Sequence, residues 1–467
     1  MQTTNGNPFM SVYTSLVDRV LWPVWERGLR RRSTPTLLND LRRNESAPLS
    51  HLVAGQELAL SDLLRHCAAS VPFYRDSIRA AGLAQGTNVT LQDLKRLPIL
   101  TRIDAGASLH DRTSVLPPVP TIRKTTGGTT GEPLVILYDQ NSENWRQAVK
   151  FRGFGWAGFR LGAPSVHYWG APSTVRGLFH SAKTAADRTL KRETWLDCND
   201  QSQSAMANVV AAITKAQPDF LFAYAQAAAA LARFINETQI RNWPEIRVVC
   251  GAEKVLPSDR EQLEQAFGEV FETYGCREFM LIGAECSAHH GLHLSMENLI
   301  VEILDDDGKE VAPGDVGHVI ITDLHNFGCP LIRYRNGDRA ALIPDDTPCP
   351  CGRAHARLAS IDGRRTETLR TKAGQPVGGM TFNLIFSPLA EHVRQFQIHQ
   401  HTNSDITVRM ILKTGETVPA GVRKHVIHGA AKYLPDSAIT FEIVDAIENS
   451  KSGKKRIVIV DGVDNAS

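Results

Sequence analysis

The chain has 467 residues, of which 42% are hydrophobic and 22% are charged, and its formal net charge is +2. This composition is typical of an ordinary globular protein, and the small net charge gives no indication that nucleic acid is the main partner. At roughly 150 residues per domain, the length predicts more than one domain.

The sequence contains no sign of a membrane span or of secretion. No run of about 18 apolar residues is present, which excludes a helix that crosses a bilayer. The first 30 residues lack the basic start, apolar core and cleavage site of a secretory signal. Eight cysteines are too few for a disulfide scaffold in a chain of this length and fit a reducing compartment. We therefore expect a cytoplasmic protein.

Helices and strands alternate in the first part of the chain. Amphipathic patterns predict one helix over 56–69, which Pro72 should end, and another over 142–153 with Ser142 as its N-cap. Further helices are predicted over 203–215, 225–236 and 258–267, and short buried strands over 219–224, 246–250 and 270–273. Alternation of this kind indicates parallel α/β layers.

The pattern changes after residue 297. The stretch 299–324 predicts two antiparallel strands around an Asp-Gly turn and a Pro-Gly turn. The last hundred residues predict strands near 395–400, 405–412 and 438–445 and a helix near 419–433. These elements are typical of a small separate α+β domain.

The polar stretch 362–374 is the expected domain boundary. We therefore expect an N-terminal domain over 1–365 and a C-terminal domain over 366–467.

A glycine- and threonine-rich stretch, TTGGTTGEP, occupies 125–133. Glycines let backbone N–H groups converge on an anion, and threonine hydroxyls add donors, so the stretch suits a polyphosphate. It is not the standard nucleotide P-loop, because Glu132 stands where that motif requires lysine. Taken alone, the stretch could equally be a flexible surface loop.

Further motifs follow in a fixed order: GAEKV (251–255), ETYGCREF (272–279), YRNGD (334–338), IDGRR (361–365) and SKSGKKR (450–456). Together with VPFYR (71–75) and LPILTR (97–102), they resemble the core motifs of the adenylate-forming superfamily of acyl-CoA synthetases. The resemblance is greatest to the phenylacetate–CoA ligase branch, including relatives found near capsular-polysaccharide genes. It implies an α/β fold with a large N-terminal adenylating domain, which contains a β subdomain, and a small C-terminal α+β domain.

The resemblance also implies an ATP site. The loop over the β- and γ-phosphates would consist of Thr126, Gly128, Thr129, Thr130 and Gly131. The adenine would be flanked by Gly251, Ala252 and Glu253, with Tyr274, followed by Gly275, stacked on the base. Asp338 would accept both ribose hydroxyls, helped by Arg364.

Two residues are implied to be catalytic. Glu278 would hold Mg²⁺, and Lys454 would reach the reacting groups from the C-terminal domain, which turns about a hinge near Glu367. The sequence departs from the family at Arg277, where most members have threonine, and it lacks the proline that usually precedes the final lysine. Lys455 and Lys451 are therefore alternatives to Lys454.

Cysteines and histidines cluster in two segments, 285–293 and 347–355. Thiolates with an imidazole suit tetrahedral Zn²⁺, although the C-x-C of Cys349 and Cys351 is tighter than the usual C-x₂-C, and reduced cysteines without a metal are the alternative. The phenylacetate–CoA ligase branch is thought to carry a structural zinc here. The ligands implied are Cys286, His293, Cys349 and Cys351, with His289 as the rival imidazole.

We expect an enzyme that uses ATP to activate a carboxylic acid, an aryl or arylacetic acid, as acyl-AMP and then transfers the acyl group to coenzyme A. The cofactors implied are ATP, Mg²⁺, coenzyme A and a structural zinc, and a homodimer stays an open alternative. By family position, residues 140–240 should line the acyl pocket, where Tyr168 and Trp169 either shape the pocket or simply pack. The alternatives are an amide or ester ligase that uses the same adenylate, and a nucleotide-binding protein without catalysis.

Overall fold

The computed structural model of the chain has a large α/β part followed by a small α+β part. It describes residues 8–84, 89–115, 119–125, 135–169, 178–198, 203–364, 368–374, 376–378, 382, 385–386, 389, 392–412, 417–432, 434–447 and 458–461. The helices are α1 (Pro8–Leu16), α2 (Trp22–Val24), α3 (Thr34–Arg43), α4 (Leu49–Ser70), α5 (Pro72–Ala80), α6 (Leu91–Leu94), α7 (Arg102–Ala107), α8 (Gln140–Trp156), α9 (Leu178–Lys191), α10 (Gln203–Ala216), α11 (Ala225–Thr238), α12 (Pro257–Ala266) and α13 (Ala420–Ala431). None of these described helices is both long enough and apolar enough to cross a membrane.

The strands of the large part are β1 (Thr121–Thr125), β2 (Val135–Asp139), β3 (Ser165–Trp169), β4 (Glu193–Asp197), β5 (Phe220–Tyr224), β6 (Arg247–Gly251), β7 (Val270–Cys276), β8 (Met280–Glu285), β9 (Leu292–Leu294), β10 (Leu299–Leu304), β11 (Gly317–Asp323), β12 (Tyr334–Leu342) and β13 (Arg357–Arg364). Those of the small part are β14 (Thr368–Arg370), β15 (Pro376–Gly378), β16 (Val393–Gln400), β17 (Ile406–Leu412), β18 (Ile439–Ile443) and β19 (Val458–Val460).

Among the described strands, 11 form one sheet in the order β10-β11-β12-β13-β9-β8-β7-β6-β5-β3-β4. The strands from β4 to β7 along this order pair in parallel, and from β7 onward each pairing is antiparallel. The predicted parallel layers and the predicted antiparallel strands are both confirmed. The sequence does not indicate that the two halves share one sheet and meet at β7.

Helices cover both faces of the parallel half. Helices α10, α11 and α12 contribute apolar side chains to a core on one face, where Leu231, Ile246 and Leu263 are fully buried. On the other face α3 and α8 pack over Phe222 and Phe271. Because both faces are covered, the strands are apolar throughout rather than alternating, which is why the sequence predicts them as short buried strands.

The predicted turn between β10 and β11 is confirmed in detail. Asp305 Oδ1 accepts hydrogen bonds from the backbone N–H groups of Asp307 at 2.9 Å and Lys309 at 2.8 Å. Gly308 has a φ of +79°, which glycine adopts without strain. The Asp-Gly pair therefore sets the turn locally, independent of distant contacts.

The predicted start of α8 is wrong by a few residues. The helix begins at Gln140, and its N-cap is Asp139, whose Oδ1 accepts a hydrogen bond from the Ser142 backbone N–H at 2.8 Å. Asp139 Oδ2 also accepts from the N–H groups of Phe327 at 2.8 Å and Gly328 at 2.9 Å. A carboxylate that serves a distant loop as well as the helix is a better cap than Ser142, and only the tertiary structure supplies that loop.

Asp139→Ala should lower the free energy of unfolding of the large part by roughly 3 kcal/mol, because one helix cap and two buried backbone donors lose their acceptor. Asn141→Ala is the matched control, since the Asn141 side chain donates only one exposed hydrogen bond, to the His325 carbonyl. Urea unfolding followed by tryptophan fluorescence measures both variants. Equal midpoints for the two would show that Asp139 does not organise this junction.

Helix α4 includes the predicted helix over 56–69 and ends at Ser70, and Pro72 opens α5 as its first residue. Proline suits the first turn of a helix because its missing N–H would have no partner there. The same residue therefore separates two helices.

The small part has its own core and its own sheet of four described strands in the order β18-β17-β16-β19. Strands β16 and β17 are antiparallel, while β18 and β19 pair in parallel with their neighbours. The core side chains extend from Leu369 to Val458. The predicted strands and helix of this part are confirmed, and the exact domain boundary stays a prediction.

Candidate functional site

The candidate site lies where the parallel strands end. Trp169 ends β3, Tyr224 ends β5 and Gly251 ends β6, and the rings of Trp169 and Tyr224 have their centroids 4.2 Å apart. A Cβ at Gly251 would lie 3.0 Å from Thr273 Oγ1 and 3.3 Å from the Trp169 ring. Glycine is therefore favoured here by close packing. Tyr168, by contrast, is fully buried in the core.

The turn after β6 is held in a strained form. Ala252 has a φ of +68°, a left-handed conformation that is uncommon for a residue other than glycine. The next residue, Glu253, accepts a hydrogen bond at Oε2 from the backbone N–H of Gln226 at 3.2 Å. Glu253 thereby anchors this turn to the N-terminus of α11, where a carboxylate is stabilised.

Asp338 is the centre of a polar cluster formed with Tyr274 and Asn336. Its carboxylate is buried, and Oδ2 accepts hydrogen bonds from the Tyr274 hydroxyl at 2.8 Å and from Asn336 Nδ2 at 3.0 Å. Asn336 Nδ2 also lies 2.7 Å from the Tyr274 hydroxyl, and Asn336 Oδ1 accepts from the Asp338 backbone N–H at 2.9 Å. The structure therefore brings Tyr274 and Asp338 together from β7 and β12. Asn336 is not among the predicted site residues, although it belongs to the YRNGD motif.

Burial raises the pKa of the Tyr274 hydroxyl well above its ordinary value, and the charge of Asp338 raises it further. The phenol is therefore a proton donor at any physiological pH, and it holds the Asp338 carboxylate in one orientation. Arg364 pairs with Asp338 in the register of β12 and β13, which places the backbones of the two residues side by side. The Arg364 side chain lies outside the described residues.

Glu278 lies in the turn between β7 and β8 and is buried. Its Oε1 is 3.3 Å from Arg102 Nη1. The segment before Arg102 is tied to β12, because Leu100 exchanges backbone hydrogen bonds of 2.9 Å with Arg333 and Arg335. Arg102 belongs to the LPILTR motif but is not a predicted site residue. The Arg102 guanidinium therefore balances the charge of the Glu278 carboxylate.

A group of cationic side chains surrounds the β1–β2 hairpin. Thr125 pairs with Val135 in this hairpin, so residues 126–134 join the two strand ends. Lys124 Nζ lies 4.9 Å from the centre of the Tyr138 ring, and the Arg146 guanidinium lies 4.5 Å from the same centre. Burial lowers the pKa of Lys124, and the neighbouring guanidinium groups lower it further, although Glu143 opposes them. The predicted phosphate loop thus begins next to Lys124 and close to Arg146, which are cations, whereas its own residue Glu132 is acidic.

Several predicted residues lie outside the described part of the chain. These are Thr126, Gly128, Thr129, Thr130, Gly131, Glu367 and Lys454. Their roles stay predictions.

The four predicted zinc ligands meet in one place. Strand β9 pairs with β8 on one side and with β13 on the other, and this brings the two cysteine segments together. The ligand atoms of Cys286, His293, Cys349 and Cys351 all lie within 4.8 Å of one another. Cys286 Sγ lies 3.7 Å from Cys349 Sγ, and Cys351 Sγ lies 3.3 Å from His293 Nε2.

These separations suit four ligands arranged tetrahedrally around one zinc ion. Zinc–sulfur bonds of about 2.3 Å at the tetrahedral angle put two sulfurs about 3.8 Å apart. Burial lowers the pKa of His293 to about 3, so its imidazole is neutral, the form that binds a metal. The rival His289 faces away, with Nε2 3.2 Å from Glu269 and Nδ1 3.0 Å from Glu285. The geometry therefore favours His293 over His289.

A buried ion pair between Arg152 and Glu297 lies close to this cluster. Arg152 is fully buried and contacts both oxygens of Glu297, at 2.8 and 2.9 Å. Burial opposes ionisation of Glu297, but Arg152 and a hydrogen bond with His355 hold its pKa well below the ordinary value. The Trp156 ring stands edge-on to both His293 and His355, with centroids 5.4 and 5.6 Å away. Neither Arg152 nor Glu297 belongs to a motif that could have identified it from sequence.

A second group of potential ligands lies in the small part. His399 Nε2 is 2.7 Å from Asp461 Oδ1, and His401 Nδ1 is 3.2 Å from Asp461 Oδ2. The other nitrogen of His401 lies 2.7 Å from Thr407 Oγ1. These hydrogen bonds account for the arrangement without a ligand.

Comparison with known proteins agrees with this architecture. The phenylacetate–coenzyme A ligase of Thermus thermophilus is 26% identical over 424 residues, covering 88% of this chain and 90% of that protein. Protein CapK of Staphylococcus aureus is 19% identical over 450 residues, covering 92% of this chain and 94% of that protein. The family model of the CapK C-terminal domain matches residues 369–461.

The chain is a distant homologue of the phenylacetate–CoA ligase and CapK branch of the adenylate-forming ligases. A solved structure of 2-hydroxyisobutyryl-CoA ligase with its acyl-adenylate, in the postadenylation state, superposes with a TM-score of 0.73 at 20% identity. The superposition covers 90% of this chain and 92% of the 2-hydroxyisobutyryl-CoA ligase chain. The predicted fold class, an α/β acyl-CoA ligase fold with a small C-terminal domain, is confirmed.

Proposed function

We propose that this homologue of phenylacetate–CoA ligase activates an aryl or arylacetic acid with ATP and transfers the acyl group to coenzyme A. The observation that carries the proposal is the cluster of Asp338, Tyr274 and Asn336 at the end of the parallel strands, built from two of the ordered motifs. Ligands of open α/β sheets bind at this edge, and an aspartate accepts two hydroxyl hydrogens of a ribose at once.

The proposed reaction has two steps. In the first step a substrate carboxylate oxygen attacks the α-phosphorus of ATP, and pyrophosphate leaves with the electrons of the broken phosphoanhydride bond. In the second step the thiol of coenzyme A loses its proton to solvent and its sulfur attacks the acyl carbon, and AMP leaves with the electrons of the broken acyl–phosphate bond. The carboxylate needs no general base, because it is already ionised at neutral pH. Catalysis then consists of positioning and of neutralising phosphate charge.

Each part of the nucleotide has a proposed partner. Asp338 takes the ribose, held by the Tyr274 hydroxyl, and the Tyr274 ring and the turn from Gly251 to Glu253 take the adenine. The phosphates would lie near Lys124 and be bound by the predicted phosphate loop, and Glu278 would hold Mg²⁺, which would neutralise phosphate charge. Arg102 would then share Glu278 with the metal.

The acyl group is proposed to lie against Trp169 and Tyr224. Two aromatic rings at a centroid distance of 4.2 Å form an apolar wall that suits an aromatic acid. Gly251 leaves room beside that wall, where any larger residue would contact Trp169.

Cys286, His293, Cys349 and Cys351 are proposed to hold one structural zinc ion, supported by their separations and their soft donor atoms. The ion would fasten the β8–β9 hairpin to the segment that leads into β13. Because β13 ends at Arg364, the metal would also steady the edge of the ribose site. None of the eight cysteines forms a disulfide, which supports a reducing cytoplasm as the proposed location.

Exchange of labelled pyrophosphate into ATP, measured with a panel of aryl, arylacetic and fatty acids, tests the first step. We expect exchange that depends on the acid and is greatest with an aromatic one. ATP binding without exchange for every acid tested would contradict the proposal and favour a nucleotide-binding protein. Coenzyme A, amines and alcohols added in turn then identify the acceptor, and a product formed only with an amine or an alcohol would replace the thioester step.

Asp338→Ala should weaken ATP binding at least roughly tenfold, because two hydrogen bonds to a charged group are lost. Tyr274→Phe is the matched control, since it keeps the ring and the carboxylate and removes only the hydroxyl that orients them. We expect a smaller loss for Tyr274→Phe, about fivefold. Isothermal titration with ATP measures both, and unchanged affinity in a folded Asp338→Ala variant would reject the ribose assignment.

A further inference from the structure

The N-terminal helical segment, residues 8–29, exposes a line of apolar side chains. Helices α1 and α2 and the two π-helical turns Val17–Leu21 and Trp25–Leu29 are continuous, because the residues at each junction keep helical dihedral angles. The exposed residues, which we term the apolar stripe, are Val12, Leu16, Val20, Leu21, Val24 and Leu29. In the described part of the chain, six of the 14 exposed large hydrophobic residues therefore lie within this one segment.

The spacing of the stripe matches the form of the helix. Val12, Leu16, Val20 and Val24 follow one another at intervals of four residues. An α-helix has about 3.6 residues per turn, so a strict interval of four would wind slowly around it. The π-helical turns, closed by i→i+5 hydrogen bonds, hold more residues per turn and reduce this drift. The four side chains therefore stay on one side.

The opposite side of the segment is fixed to the protein. Val17 and Trp22 are buried, and the Trp22 ring stands edge-on to Phe151 of α8 at a centroid distance of 5.4 Å. Tyr13 donates a hydrogen bond from its hydroxyl to the Leu190 carbonyl at 3.0 Å. The stripe is thus presented on a firmly packed helix and is not the frayed end of a chain.

The charged residues of the segment also differ in exposure: the acidic residues are buried, whereas several arginines are exposed. Its two acidic residues are buried and paired, Asp18 with Arg42 at 2.9 Å and Glu26 with Arg30 at 3.3 Å. The charged residues exposed between positions 12 and 31 are Arg19, Arg27 and Arg31. Within residues 12–31, the exposed charged side chains are therefore all positive.

We propose that this face lies on the surface of an anionic lipid membrane, with the apolar stripe in the headgroup region. An apolar stripe flanked by arginines is typical of helices that lie in the plane of the membrane, and no described helix could cross it. Anionic headgroups complement the three arginines. A second copy of the chain is a poorer partner, because a symmetric pairing of this face sets the same arginines against each other. The proposal goes beyond the ligase chemistry and does not depend on it.

Cosedimentation of the full chain with vesicles tests the proposal. We expect binding to vesicles that contain phosphatidylglycerol and much weaker binding to phosphatidylcholine alone. Val20→Glu with Val24→Glu should reduce binding at least roughly tenfold, because two carboxylates replace apolar side chains at an anionic surface. The matched control is Ile240→Glu with Ile427→Glu, which makes the same change at exposed residues elsewhere and should bind like the unaltered protein.

The arginines are tested separately. Arg19→Gln, Arg27→Gln and Arg31→Gln combined should weaken binding on the order of 100-fold at low salt, and added salt should weaken binding of the unaltered protein. Equal binding to both kinds of vesicle, or no binding, would overturn the proposal. So would a dimer in sedimentation analysis that Val20→Glu with Val24→Glu dissociates, since the face would then join two copies.

Discussion

Lys454→Ala should slow formation of acyl-AMP by roughly 100- to 1,000-fold and leave thioester formation from supplied acyl-AMP nearly unchanged. The estimate follows from the loss of one charged or hydrogen-bonding group at a site of developing negative charge. The family resemblance implies two placements of the C-terminal domain, with the lysine at the α-phosphate only in the first. A turn of the domain about a hinge near Glu367 would remove the lysine before the second step.

The two half-reactions are measured on the same preparation, with Lys455→Ala as the matched control. We expect Lys455→Ala to change neither rate appreciably. Equal losses in both half-reactions of Lys454→Ala would mean that the lysine only supports the fold. No loss in either would move the essential cation elsewhere, with Lys455, Lys451 or the hairpin residue Lys124 as candidates.

Cys349→Ser should release the proposed zinc ion and lower the free energy of unfolding of the large part by several kcal/mol. A closed structural site contributes its binding free energy to folding, and apparent values in small zinc peptides are about 10–16 kcal/mol. The effect should be centred on the cluster, because Cys349 lies between β12 and β13 while Cys286 and His293 come from the β8–β9 region. Hydrogen exchange should show the loss of protection there first.

Metal analysis decides this prediction before any stability measurement. Protein purified without chelator should contain close to one zinc per chain, and His289→Ala should keep it, because His289 contacts Glu269 and Glu285 instead of the cluster. Absence of zinc from the unaltered protein would remove the proposal. Loss of zinc from His289→Ala but not from His293→Ala would show that the wrong imidazole was assigned.

The elements of the fold were largely predictable because their signals are local. The β10–β11 turn follows from Asp305 and Gly308 within a few residues, and the apolar runs of β5 and β6 reflect burial on both faces. The start of α8 was not predictable, because Asp139 also caps a loop almost 190 residues away, through Gly328. Sequence patterns contain no information about that loop until the chain has folded.

Some residues of the candidate site can likewise be predicted from the sequence, whereas others are found only in the folded structure. The sequence alone shows a resemblance to the adenylate-forming ligases and includes Tyr274, Glu278 and Asp338 in the motifs that carry it, because each motif is a short run of neighbouring residues. The contacts of Asn336 with Tyr274 and of Arg102 with Glu278 emerge only in the folded chain, since contacts between distant segments leave no periodicity in the sequence.

The cluster of Cys286, His293, Cys349 and Cys351 and the apolar stripe both depend on how the chain folds. The sequence predicts two groups of candidate metal ligands, but it does not predict an exposed apolar face on the N-terminal segment. The choice of His293 over His289 required the pairing of β9 between β8 and β13, which turns one imidazole inward and leaves the other with carboxylates. The exposure of Val20 and Val24 likewise depends on which side of the helix packs against α8. Burial is a property of the folded surface, so the same valines would suit a core equally well in sequence.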